Sequence, residues 1–273
     1  MNGNEGAGMD FWRDKVVLVT GASRGIGRAL TDELAHFGAR LVLTARGENE
    51  LELTASRISA IGAECVFMTA DVQDEAAVQQ VVRYGVERLG RLDVLINNAG
   101  VGLRGQVDTL EPALLMEALA VNVIGPLNFI RAATPLFKEQ RTGLIINIAS
   151  LGAIQAAPNI GGYAATKAAL AKLGEALHLE LEENGIRVCT AYPGSARTEF
   201  RNHALGTAYR GHEPRLSRIA PELVAKQILQ QAAQGKREIY VTRKDRCFAY
   251  LARIAPRFAD FLVGRAFRQT KGI

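Results

Sequence analysis

Seven short apolar runs recur along this chain with longer helix-like patterns between most of them, and that alternation leaves few folds open. The runs cover 15–20, 40–44, 64–70, 92–97, 143–149, 186–191 and 238–241. Each is too short for a helix and mostly apolar, as expected of strands buried on both faces of a parallel sheet. The patterns between them, at 26–37, 48–61, 75–89, 113–137, 163–183 and 221–234, have the length of crossover helices. Gly38, Gly62, Gly90 and Gly185 stand just past four of these stretches, where helices commonly stop. The expected fold is α/β: a doubly wound, seven-stranded parallel sheet of Rossmann type spanning 15–241. A loose leader over 1–14 precedes it, and a helical extension over 242–273 belongs to the same domain.

The 273 residues suit one such domain, and 48% hydrophobic with 22% charged residues is ordinary globular usage. Cys65, Cys189 and Cys247 are scattered, so neither a disulfide framework nor a zinc site is expected, and a reducing cytoplasm fits. His36, His178, His203 and His212 have no ligand spacing, which leaves no metal site in prospect. The first 14 residues lack the apolar run of a signal peptide. No stretch reaches the roughly 18 uninterrupted apolar residues of a membrane span. Charge is uneven. From Thr242 to Ile273 there are eight basic and two acidic residues, a net +6, whereas the whole chain carries +5 and the remainder −1. The basic character belongs to the tail, which gives no reason to expect a nucleic-acid partner. Between Arg246 and Arg268 the tail mixes arginines with Phe248, Tyr250, Leu251, Ile254, Phe258, Phe261, Leu262 and Phe267, and Pro256 could start a second helix. Packing against the domain or a partner subunit is the favoured reading of this amphipathic stretch. Attachment to an anionic membrane surface is the other. The stretch 200–218, with Gly206, Gly211 and Pro214, reads as a mobile loop over a site.

The first run leads into Thr20-Gly21-Ala22-Ser23-Arg24-Gly25-Ile26-Gly27. Gly21, Gly25 and Gly27 would let the backbone approach a pyrophosphate at the positive end of the following helix. At the end of the second run, Ala45 offers no carboxylate to a ribose 2′-hydroxyl, and Arg46 together with Arg24 could clamp a 2′-phosphate. NADP is the expected cofactor.

Tyr163 and Lys167 lie four residues apart, hence on one face of a helix. An ammonium beside a phenol, whose free pKa is about 10, favours the phenolate and would lower that value. Such a tyrosine can act as acid and base. Asn122 is four residues before Pro126, which has no amide hydrogen to give its carbonyl. That carbonyl could bind water at a kink, or the helix could simply break at Gly125-Pro126.

The chain resembles the short-chain dehydrogenase/reductase family over about 15–241. The resemblance rests on Thr20 to Gly27, Asp71-Val72, Asn97-Asn98-Ala99-Gly100, Asn122, Ser150, Tyr163, Lys167, Pro193-Gly194 and Thr198. It implies a catalytic set of Asn122, Ser150, Tyr163 and Lys167, with Asn122 holding the first water of a proton relay to Lys167. It implies that Ser23, Arg24 and Ile26 join the three glycines and Arg46 on the cofactor, and that Asp71 and Val72 meet adenine. Asn98, Ala99 and Gly100 would line the cleft, Pro193, Gly194 and Thr198 would hold the nicotinamide end, and Lys167 would also bind the ribose beside Tyr163. A homodimer or homotetramer is implied as well. The expected activity is an NADP-dependent interconversion of a carbonyl and a secondary alcohol, acting on a hydrophobic small molecule. A 3-oxoacyl-thioester reductase and a non-catalytic NADP(H)-binding scaffold are the alternatives.

Overall fold

The computed structural model describes residues 10–206 and 219–269. The chain runs through β1 (Val16–Thr20), α1 (Gly25–His36), β2 (Arg40–Ala45), α2 (Glu48–Ala60), β3 (Cys65–Thr69), α3 (Glu75–Leu89), β4 (Val94–Asn97) and the short β5 (Leu103–Arg104). It continues through α4 (Pro112–Leu119), a π-helical turn (Ala120–Ile124), α5 (Gly125–Gln140), β6 (Gly143–Ile148), α6 (Gly161–Leu181), β7 (Ile186–Ala191) and the short β8 (Leu205–Gly206). It ends with α7 (Pro221–Ala233), β9 (Glu238–Ile239), α8 (Arg243–Ile254) and α9 (Pro256–Gln269).

Seven strands form one sheet in the order β3-β2-β1-β4-β6-β7-β9, every pair parallel. Alternate residues of each strand face opposite sides. Val17 and Val19 of β1 join Leu41 and Leu43 in a core shared with Leu30, Leu34, Leu51, Ile58, Ile228 and Leu229 from α1, α2 and α7. Val16 and Leu18 face the other way, toward Val78 and Val82 of α3 and Phe129 and Phe137 of α5. Burying each such side chain contributes roughly 1.5–3 kcal/mol, so the two layers hold the sheet from both faces. Strand order reverses between β1 and β4, and that reversal opens a crevice at the carboxyl ends of the strands.

Five features depart from the sequence reading. Residues 1–9 of the expected leader lie outside the described residues, but Trp12 is fully buried in the core and Phe11 packs edge-on against it. The leader is therefore anchored from Phe11 onward. The single helix expected over 113–137 contains a π-helical turn. Pro126 cannot supply the hydrogen bond owed to Asn122, and the backbone shifts so that Gly125 N–H donates to the Ala120 carbonyl, five residues back. Third, β5 and β8 pair in a small parallel sheet of their own, Leu103 with Leu205, which no local pattern announced. Within the expected mobile loop, Phe200 falls in a 3-10 turn (Glu199–His203) and Gly206 in β8, whereas 207–218 lie outside the described residues. Finally, the continuous helical stretch Pro112–Gln140 is long and apolar enough to cross a bilayer by length and composition. Half of its most apolar window is buried, and α5 packs against α3, β4 and β6 as a core helix.

Candidate active site

The glycine turn after β1 is built so that only glycine fits. Gly21 and Gly25 have φ values of 64° and 57°, which side chains rarely adopt. A Cβ on Gly27 would collide with the carbonyl oxygen of Gly21 and lie 2.5 Å from Asn98 Nδ2. The turn is also fastened to both neighbouring strands. Ala22 N–H donates to the Thr44 carbonyl at 3.1 Å. On the other side, the amides of Asn98 and Ala99 both donate to Thr20 Oγ1 at 3.0 Å, while Asn98 Nδ2 donates to the carbonyls of Thr20 and Gly21 at 2.9 and 3.1 Å. Asn98 thus spends its side chain on holding two loops together. The α1 N-terminus that follows has no side-chain cap and no acidic residue in its first turn, which leaves its amides and positive end suited to an anion. Ser23 and Ile26 are part of this turn, partly buried; the Ser23 carbonyl accepts from Thr54 Oγ1 at 3.5 Å.

Ala45 is buried at the end of β2, and Arg46 follows it into solvent. Neither the Arg46 nor the Arg24 side chain, both exposed, forms a hydrogen bond or ion pair among the described residues. Beyond β3, Asp71 Oδ1 accepts from Gln73 N–H at 3.0 Å, and the Val72 carbonyl accepts from Asn128 Nδ2 at 3.0 Å. Val72 is buried against Gly125, where an added Cβ would lie 2.5 Å from Val72 Cγ2.

Tyr163 and Lys167 sit on α6 one turn apart, as the spacing required. Ser150 lies two residues past the end of β6, accepts from Gly152 N–H at 3.1 Å, and hydrogen-bonds the Tyr163 phenol. Lys167 Nζ is buried and donates to the Ile148 carbonyl at 2.9 Å. Asn122, fully buried, is held by Val101: Oδ1 accepts from its amide at 2.8 Å, and Nδ2 donates to its carbonyl at 2.9 Å. Asn122 Nδ2 also donates to Thr166 Oγ1 at 2.9 Å, and that hydroxyl donates to the Tyr163 carbonyl at 2.8 Å. A Cβ on Gly100 would lie 2.9 Å from Asn122 Oδ1 and 3.1 Å from Lys167 Nζ, so the two groups converge on the same backbone atom. Pro193 accepts from Leu151 N–H at 3.0 Å, which ties its loop to the segment after Ser150, and Gly194 faces Leu151 and Asp245. A Cβ on Gly25 would lie 3.4 Å from Thr198 Cγ2, so Thr198 stands across the mouth from the glycine turn.

The electrostatics differ from the expectation in one respect. Burial pushes the Tyr163 phenol up to about 12, with the hydrogen bond from Ser150 pulling the other way, and burial pushes Lys167 down to about 8. Desolvation of the phenolate outweighs any help from the neighbouring ammonium in the protein by itself. Three residues were given no role in the sequence reading. Thr20 and Thr166 brace the loops and Asn122, and Phe200 sets its ring edge-on to Tyr163 at 5.8 Å between centroids. A threonine closing a buried strand just before a glycine turn was the available signal for Thr20.

A glycine-rich anion cradle at the switch point of a parallel sheet, with Ser150, Tyr163 and Lys167 gathered beside it, defines an oxidoreductase of the dinucleotide-binding α/β class. The model of the short chain dehydrogenase family matches residues 15–207, and the chain belongs to that family. An uncharacterised oxidoreductase of Listeria innocua is 36% identical over 190 residues, covering 69% of this chain and 77% of the relative. Among solved structures, a short chain dehydrogenase/reductase from Burkholderia phymatum in complex with NAD superposes with a TM-score of 0.82 at 25% identity, covering 90% of this chain and 95% of that one. An alcohol dehydrogenase from Thermococcus sibiricus complexed with 5-hydroxy-NADP gives 0.73 at 27% identity, covering 84% and 96%.

Proposed function

We propose that the protein is an NADP-dependent reductase that converts the carbonyl group of a hydrophobic small molecule to a secondary alcohol, with Tyr163 as the acid. The observation that carries this reading is the joint position of Ser150, Tyr163 and Lys167 beside the glycine cradle. The residues present fit a dinucleotide: the uncapped α1 end and Gly21, Gly25 and Gly27 suit the pyrophosphate, Asp71 and Val72 the adenine, and Thr198 with Pro193 and Gly194 the nicotinamide end. When bound, the nicotinamide supplies the hydride. Burial keeps the Tyr163 proton in place throughout neutral pH, and Tyr163 gives it to the substrate oxygen as general acid. Ser150 stabilises that oxygen as negative charge grows on it. Lys167 then faces a phenolate, and Asn122 fixes the backbone against which Lys167 rests. Phe200, edge-on to the Tyr163 ring, gives the phenol an apolar neighbour, in keeping with a hydrophobic substrate.

The unpaired Arg24 and Arg46 and the absence of a carboxylate at Ala45 support NADP. The carboxylate of Glu50, which lies against Gly47, is the feature that would favour NAD instead. In this proposal the enzyme works in the cytoplasm as a homodimer or homotetramer. The test follows NADPH absorbance with ketones of graded size and a 3-oxoacyl thioester. Turnover of free ketones that falls about 100-fold or more in Tyr163→Phe supports the proposal. Activity on the thioester alone would select the acyl reductase, and no turnover of any compound would leave a binding scaffold.

A further inference from the structure

The two C-terminal helices turn their large apolar side chains outward. Small residues seat them on the domain: Ala249 and Ala259 are fully buried and Ala252 nearly so. Polar contacts fix their position, with Arg253 donating to both oxygens of Glu238 at 2.9 and 2.6 Å and Asp260 accepting from Gln155 Nε2 at 3.0 Å. Tyr250, Ile254, Phe258, Phe261 and Leu262 remain 51%, 82%, 51%, 51% and 36% exposed. With about 100° per residue, Phe258, Phe261, Leu262 and Arg265 fall within one narrow stripe of α9, with Arg257 and Arg268 along its border. The rings of Phe258 and Phe261 are stacked 6.4 Å apart in this stripe, in water. Among the described residues, the side chains of Arg243, Lys244, Arg257, Arg265 and Arg268 form no hydrogen bond or ion pair. A helix stabilising only its own domain would bury the aromatics and leave the alanines outside.

We propose that this face docks on an anionic lipid bilayer, its aromatic side chains entering the headgroup boundary and its free cations meeting lipid phosphates. Charge complementarity selects this occupant. A second copy would bring another tail of net +6 against the first, which like-charge repulsion opposes. The bilayer offers an apolar layer beneath a negative one, the same order in which this face offers its groups. Docking would set the active-site mouth beside the lipid, because α9 touches Gln155 in the loop after Ser150 and Asp245 of α8 lies against Gly194.

The test is flotation of the full chain with vesicles of phosphatidylcholine alone and with about one third phosphatidylglycerol, at low and high salt. The chain is expected to float with the anionic vesicles and to leave them as salt rises. Phe258→Ser with Phe261→Ser should reduce partitioning about tenfold or more. Arg257→Gln, Arg265→Gln and Arg268→Gln together, at about fivefold per charge, should reduce it about 100-fold. Both variants should keep the melting temperature and solution mass of the parent. No flotation of the parent, or undiminished flotation of both variants, would overturn the proposal. So would a drop in mass in the phenylalanine variant, which would assign the face to a second copy, or retention by an acidic protein but not by vesicles.

Discussion

Lys167 offers a direct measurement of what burial costs at this site. Its ammonium is pushed from an ordinary 10.5 down to about 8. The unfolded chain holds that proton up to about 10.5 and the folded chain only to about 8, so between those values the unfolded state binds more protons and stability rises with pH. Below about pH 8 both states are charged, and burial of the charge costs the fold about 3 kcal/mol. Moving from about pH 7 to about pH 9.5 should restore about 2 kcal/mol of this. Tyr163 acts in the opposite sense, but its shift from 10 up to about 12 removes stability only as pH climbs past about 10, and so hardly enters the window. Lys167→Met deletes the titration while keeping an unbranched side chain in the cavity. Urea unfolding without added cofactor, run at both pH values on parent and variant, isolates the lysine as the difference between two differences. The parent should gain about 2 kcal/mol relative to the variant. Parallel pH profiles would refute the reasoning, because they would mean that the buried ammonium is not penalised.

Two further outcomes follow from the cofactor side. Arg46→Asp should weaken NADPH binding about tenfold or more and leave NADH nearly unchanged, read by fluorescence titration of each; equal effects would contradict a phosphate clamp. Gly27→Ala drives a Cβ into the Gly21 carbonyl, so unfolding should become easier by roughly 1–3 kcal/mol and titration should show nucleotide affinity falling more steeply than stability.

The parallel sheet was legible because strands buried on both faces read as unbroken apolar runs, and all seven lie where those runs do. That Tyr163 and Lys167 stand one turn apart on a single helix was legible because helical spacing fixes it. Their proton affinities were not, since four-residue spacing says which groups are neighbours and nothing about how much water surrounds them. Pro126 announced a missing hydrogen bond, but a break, a kink and a π-helical turn all satisfy that constraint, and packing against Val72 and α3 decides among them. The β5–β8 pair depends on two short segments about a hundred residues apart, and on Gly206, whose φ of 84° sets it against the Arg104 carbonyl. Trp12 follows a stretch without periodicity, and only the assembled core reveals its place.

The hydroxyl of Thr20 and the amide of Asn98 rivet the loop after β1 to the loop after β4 through four hydrogen bonds, together about 4 kcal/mol. The two banks of the crevice on that side therefore travel as a single jaw. The opposing jaw, the strip from Pro193 to Gly206, is tied by separate bonds, Leu151–Pro193 and Leu205–Gly102 to the body and Arg197–Ile219 and Ile219–Ser195 to the segment before α7, so the two jaws share none of these restraints.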